Sequence, residues 1–114
     1  MAGKIYRFIL GVIRKSTLVT YLVFGVKVKS KVHDIYWDIT TLVLKKAIDK
    51  HLKGYEKRVL DMGCGHIAIL SQYVKANYES NKVMGIDIYE DLVKSAKYNV
   101  NKNDLDIDIH KSNL

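Results

Sequence analysis

The sequence predicts an α/β fold built on a parallel sheet, and three observations carry that prediction. Short apolar runs at Arg58–Asp61, Lys82–Asp87 and Ile107–His110 have the length and β-branched content of strands. Segments with helical spacing of apolar residues, about Ile67–Lys75 and Glu90–Asn99, alternate with them. The connections are short, and strand–helix–strand–helix–strand with short links implies parallel strands joined by crossover helices.

The elements upstream are read in the same way. Ile5, Phe8, Ile9, Val12 and Ile13 form the stripe of an amphipathic helix, with Lys4, Arg7 and Arg14 on the other face. The stripe is expected to lie against the protein's own core, the alternative being a membrane surface. Leu18–Val28 is rich in β-branched and aromatic residues, and Val26-Lys27-Val28-Lys29 alternates, so a strand or hairpin is expected there. Ile39, Leu42, Val43, Ala47, Ile48 and Leu52 follow a helical period, with Asp38 or Thr40 as cap and Gly54 beyond the end. The division expected is a basic extension over residues 1–32 and a cofactor-binding domain over residues 33–114.

Composition narrows the class. The 114 residues suffice for one small domain, and 48% hydrophobic with 27% charged residues is globular rather than disordered. The net charge of +7 is unevenly spread, since the first 31 residues carry seven Lys/Arg and no Asp/Glu. Such a stretch suits a nucleic-acid or anionic-membrane surface, or is simply a solvated basic face. Arg7 and Arg14-Lys15 interrupt the apolar runs, so neither a signal peptide nor a membrane span is expected, and membrane association is not anticipated. The single cysteine, Cys64, has no disulfide partner, and no His/Cys spacing fits a metal. A reducing, cytoplasmic setting follows as the default.

The chemistry concentrates at Asp61-Met62-Gly63-Cys64-Gly65-His66-Ile67-Ala68, a turn from strand end to helix start. Gly63 and Gly65 allow backbone conformations and close approaches that a Cβ would block. By itself such a turn suits any nucleotide-like cofactor. Asp61, two residues before the first glycine, adds a carboxylate that an NAD-binding turn does not call for and that suits an ammonium group. Asp87, ending the next strand, can accept hydrogen bonds from both ribose hydroxyls. Ile88 follows, where an adenine face could rest. Structural readings compete: Asp61 and Asp87 as mere caps, Cys64 as a small turn residue, His66 as a polar turn residue, Trp37 as packing. Only for the two aspartates does the functional reading win; Thr41 is left out of the cofactor site.

The stretches VLDMGCGHIAIL (Val59–Leu70) and VMGIDIYEDLVKSAKYNV (Val83–Val100) resemble the first two cofactor motifs of class I methyltransferases. The closer likeness is to the small-methyltransferase group, which includes ribosomal RNA guanine and release-factor glutamine methyltransferases. His33–Leu42 is similar to that group's upstream segment, without its usual proline. The resemblance implies a Rossmann-like sheet, with the three strands here being the first of seven, and S-adenosyl-L-methionine as cofactor. Asp61, Gly63 and Gly65 would hold its methionine part, Asp87 its ribose and Ile88 its adenine. Asn113 would face the adenine amino group where the family usually has aspartate. Ile67 replaces a common third glycine, and Ala68 leaves GxGxxA spacing. The family's catalytic groups lie after a fourth strand, so no catalytic residue is assigned. The chain is expected to be the front half of an enzyme acting on RNA or a translation protein, inactive alone, with a partner chain as one source of the remaining strands. The alternatives are a fragment of an NAD-binding oxidoreductase and a non-catalytic module binding RNA, a membrane or a partner.

Overall fold

The computed structural model describes residues 2–30, 32, 35–55, 58–78 and 81–112. Three helices lead: α1 (Ala2–Lys15), α2 (Thr17–Phe24) and α3 (Ile39–His51). They are followed by β1 (Arg58–Met62), α4 (Ile69–Asn77), β2 (Lys82–Asp87), α5 (Glu90–Lys102) and β3 (Ile107–Lys111). The strands form a parallel sheet in the order β1-β2-β3, with Asp61 opposite Gly85 and Gly85 opposite Ile109.

Strand alternation decides which face is covered. Val83, Gly85, Ile107 and Ile109 point inward against Ala68, Val74, Val93, Ala96 and Val100 from the α4 and α5 side. Leu60, Met62 and Met84 on the opposite face are exposed, although their apolar character is that of a sheet covered on both faces. Among the described residues, β1 has a strand neighbour on one side only.

The expected strand or hairpin at Leu18–Val28 is incorrect. Thr17–Phe24 is helical despite its β-branched content, because both ends are capped. The Ser16 hydroxyl accepts from Val19 N–H at the start, and Gly25 closes the end at φ 74°. Burial of Thr20 and Phe24 then outweighs intrinsic propensity. The Val26–Lys29 alternation is nevertheless expressed: Val26 and Val28 are buried and Lys27 and Lys29 are exposed. This segment joins no sheet. Its backbone pairs with two asparagine side chains one turn apart, Asn99 on α5 and Asn103 at its C-cap. Lys27 N–H donates to Asn103 Oδ1 (3.2 Å) and its carbonyl accepts from Asn103 Nδ2 (2.7 Å). Lys29 makes the same two bonds with Asn99, at 2.7 and 2.6 Å. A carboxamide presents the donor and acceptor of a peptide group, so Asn99 and Asn103 substitute for a neighbouring strand.

A second cluster joins this N-terminal layer to the domain. Phe24, Val26, Val28 and Trp37 pack on Ile67, Ile69 and Tyr73. Trp37 meets Phe24 edge-on at 6.0 Å and donates its indole N–H to Thr20. Helix α3 begins at a capping box between Asp38 and Thr41, which selects Asp38 of the two candidates. Asp49 ties α3 to Tyr73 and Tyr78 through its carboxylate. The α1 stripe departs from expectation: Leu10 and Ile13 reach the cluster, while Ile5, Phe8, Ile9 and Val12 remain exposed.

Replacing Asn99 by alanine removes both bonds to Lys29. Exchange protection of the Lys27 and Lys29 amides should fall, with the β2 amides unchanged, and stability should drop by about 1–3 kcal/mol. Hydrogen–deuterium exchange checks this.

Candidate functional site

The glycine turn runs from the end of β1 to the start of α4, and its backbone is bound to the end of β2. Gly63 N–H and Cys64 N–H both donate to the Ile86 carbonyl, at 2.8 and 2.9 Å. Gly65 N–H donates to Asp87 Oδ2 at 3.1 Å. Gly63 and Gly65 have φ of 71° and 77°, values that favour glycine. Ala68 also sits at positive φ (46°) and is fully buried, so the position after Ile67 turns the chain without a glycine.

Asp87 is buried at the carboxyl end of β2. Its Oδ1 accepts from Tyr89 N–H (3.2 Å) and its Oδ2 from Gly65. A carboxylate has about four lone-pair sites, so acceptor capacity for a ligand's hydroxyls remains. Asp61 lies one strand over and accepts from Ser71 Oγ at 2.6 Å. Burial pushes its carboxyl above the usual carboxylate range; the Ser71 hydrogen bonds oppose this and the charge of Asp87 adds to it. A cation brought to Asp61 would relieve both raising effects.

Gly63, Asp87 and Ile88 line one cleft of about 340 Å³, together with Met62, Tyr89 and Ser112. On the other side of the turn, Gly65 and His66 share a smaller cleft of about 230 Å³ with Tyr36, Trp37 and Thr41. Ile88 is half-exposed at the first cleft, an apolar surface open to an aromatic ring. Asn113 lies outside the described residues. A larger cleft, about 380 Å³, lies between Lys29 and the Asp91–Tyr98 face of α5. It contains neither Asp61, Asp87 nor the turn, so chemistry rather than volume identifies the candidate site.

The neighbouring side chains are structural. The Cys64 thiol is buried and pushed up to about 12, by desolvation first and then by the charges of Asp61 and Asp87, so it is no nucleophile at neutral pH. His66 is buried, with Nε2 donating to the Ile35 carbonyl (2.9 Å) and Nδ1 bonded to Ser30 Oγ (2.6 Å). Tyr36 stacks on its ring. Sequence reasoning missed Ser71, which holds Asp61, and Gly85, which permits close packing behind the turn. A Cβ on Gly85 would lie 2.9 Å from Ile109 Cδ1 and 3.1 Å from both Cys64 Cβ and Ser71 Oγ. The small-residue signal at Gly85 is visible in the sequence, but only the pairing to β3 and the turn gives it a role.

A glycine turn between strand and helix, followed by an acid ending the next parallel strand, defines an α/β domain of the nucleotide-cofactor type. More narrowly, residues 32–114 match the family model for the methyltransferase small domain, and the chain belongs to that family. It is 39% identical over 69 residues to ribosomal protein L11 methyltransferase of Thermotoga neapolitana, covering 59% of this chain and 24% of that protein. The Thermosipho africanus protein of that name is 40% identical over 76 residues, covering 66% and 28%. The chain thus spans about a quarter of the length of these curated relatives. A methyltransferase from Pyrococcus furiosus shares the fold with a TM-score of 0.73 at 20% identity, over 96% of this chain and 52% of that one. The N-terminal domain of human METTL16 in complex with SAH does so at 0.63 and 16% identity, over 88% and 42%.

Two outcomes follow from the packing and charge at the turn. Gly85→Ala should destabilise the protein by about 1–3 kcal/mol, read as a lowered Tm. For Asp61, the native state keeps a proton at pH values above 3.8 where the unfolded chain has released it. Stability should therefore fall as pH rises above the ordinary carboxylate range, and Asp61→Asn should flatten that fall in denaturant titrations.

Proposed function

We propose that this chain binds S-adenosyl-L-methionine at the Asp61–Gly65 turn and Asp87, and supplies the cofactor half of a methyltransferase acting on the translation machinery. The observation that carries the reading is the pair of carboxylates on adjacent parallel strands, one on each side of a turn whose glycines adopt positive φ. Asp61, destabilised as an anion by burial, is suited to the ammonium of the methionine part. Asp87 accepts from the ribose hydroxyls with its remaining lone pairs, and Ile88 offers an apolar face to the adenine. The residues present fit the cofactor in charge and in hydrogen-bonding capacity. When bound, it supplies a sulfonium-activated methyl group; the chain's own part is to hold and orient it. The SAH complex of the METTL16 neighbour supports this choice of cofactor, and the two L11 methyltransferase relatives favour a ribosomal protein over RNA as acceptor. The seven N-terminal cations are compatible with either acceptor.

Calorimetric titration tests the reading. S-adenosylhomocysteine should bind more tightly than NAD, and Asp87→Ala should weaken it at least about tenfold. Tighter binding of NAD would replace the reading with a dehydrogenase one. Linkage gives a further check. Cofactor binding favours ionised Asp61, so affinity should rise with pH through its folded pKa, and Asp61→Asn should bind weakly at every pH.

A further inference from the structure

Helix α1 has no buried residue, although its sequence is strongly amphipathic. One edge, Leu10 and Ile13, rests on the second apolar cluster. The rest of the stripe does not: Ile5, Phe8, Ile9 and Val12 are half or more exposed, Phe8 at 74%. Spaced at i, i+3, i+4 and i+7, they form one continuous band along the helix. Leu18 and Leu22 of α2 add exposed apolar area just beyond the corner at Ser16.

The charges that α1 itself carries are of one sign. Lys4 lies one turn from Phe8, and Lys15 lies three residues past Val12, so cations border the band near both ends. Arg7 is on the polar face, and the first 31 residues contain no Asp or Glu. That border constrains what covers the band. A second copy would oppose cation to cation. RNA would satisfy the cations and leave the apolar band in water. A bilayer with anionic headgroups satisfies both, because the apolar band enters the acyl boundary while the lysines meet the headgroups.

We propose that α1 is an interfacial helix that seats the protein on an anionic membrane surface through Ile5, Phe8, Ile9 and Val12. It lies in the plane of the interface, its Leu10–Ile13 edge keeping it attached to the domain. No described helix is long and apolar enough to cross a membrane. The proposal stands apart from the cofactor reading, since none of these side chains lines either cleft beside the turn.

Flotation of the 114-residue chain with phosphatidylcholine vesicles containing about 30% phosphatidylglycerol tests it. Binding is expected, with at least about tenfold less on pure phosphatidylcholine, in Phe8→Glu, or in Lys4→Glu. Raising salt to about 0.5 M should weaken it as well. Far-UV circular dichroism of both variants should match the parent, because both side chains are exposed. Absence of vesicle binding would overturn the proposal, as would binding indifferent to Phe8→Glu. A dimer in sedimentation that Phe8→Glu dissociates would assign the band to a second copy instead and likewise overturn it.

Discussion

Three backbone N–H groups hold the glycine turn against the end of β2, and the arrangement of the rest follows from that attachment. Gly63 and Cys64 share the Ile86 carbonyl, and Gly65 reaches the Asp87 carboxylate. The donors are backbone groups, so the turn's path rests on its two glycines at positive φ and on the Asp87 acceptor rather than on the side chains of Cys64, His66 or Ile67. Side chains of the turn are then available to point away from the sheet. His66 and Ile67 do so, and both engage the N-terminal layer. The turn is therefore held from two sides, by the sheet through its backbone and by the extension through its side chains. A ligand meeting such a turn finds its donors and acceptors already ordered, which lowers the ordering cost of binding.

Ile67 shows how a departure from a family pattern acquires a physical reason. A third glycine at this position would let the helix approach the strand closely. Here the side chain is almost completely buried among Phe24, Trp37 and Tyr73. Close approach is secured elsewhere, by Ala68 against the sheet and by Gly85 opposite Cys64 and Ser71. Burial of an isoleucine contributes about 1.5–3 kcal/mol, whereas a glycine there would contribute none and would add backbone entropy to the unfolded chain. The substitution gives up one packing device and gains the anchor for the extension.

The sheet and its helices were legible because their signals are local. Period-two and period-3.6 patterns bounded by turns place β1 to β3, α3, α4 and α5 to within a few residues. The N-terminal layer was less so. In Leu18–Phe24, β-branched propensity pointed to a strand, while the caps at Ser16 and Gly25 and the burial of Phe24 decided for helix. Lys27 and Lys29 do have extended-chain partners, but these are side chains some 70 positions away, which no local pattern reveals. The same limit applies at the site. Asp61, Gly63, Gly65, Asp87 and Ile88 could be nominated from spacing, whereas Ser71 and Gly85 matter only through contacts across strands.

The acidic pair carries a cost that the fold accepts. Asp61 is withdrawn from water, and the charge of Asp87 acts further against its anion. Ser71 offsets this at Asp61, through its hydroxyl at 2.6 Å and through its backbone N–H. A chain shaped for stability alone would place an asparagine there, keeping the Ser71 bond and losing the charge. Under the proposed reading, the retained charge is used when the ammonium of the cofactor occupies the site. Asp87 differs, since two backbone N–H groups of the fold already depend on it. The pair thus divides its tasks: Asp87 builds the turn and holds acceptor capacity in reserve, and Asp61 is the group whose electrostatic strain a ligand's positive charge would remove.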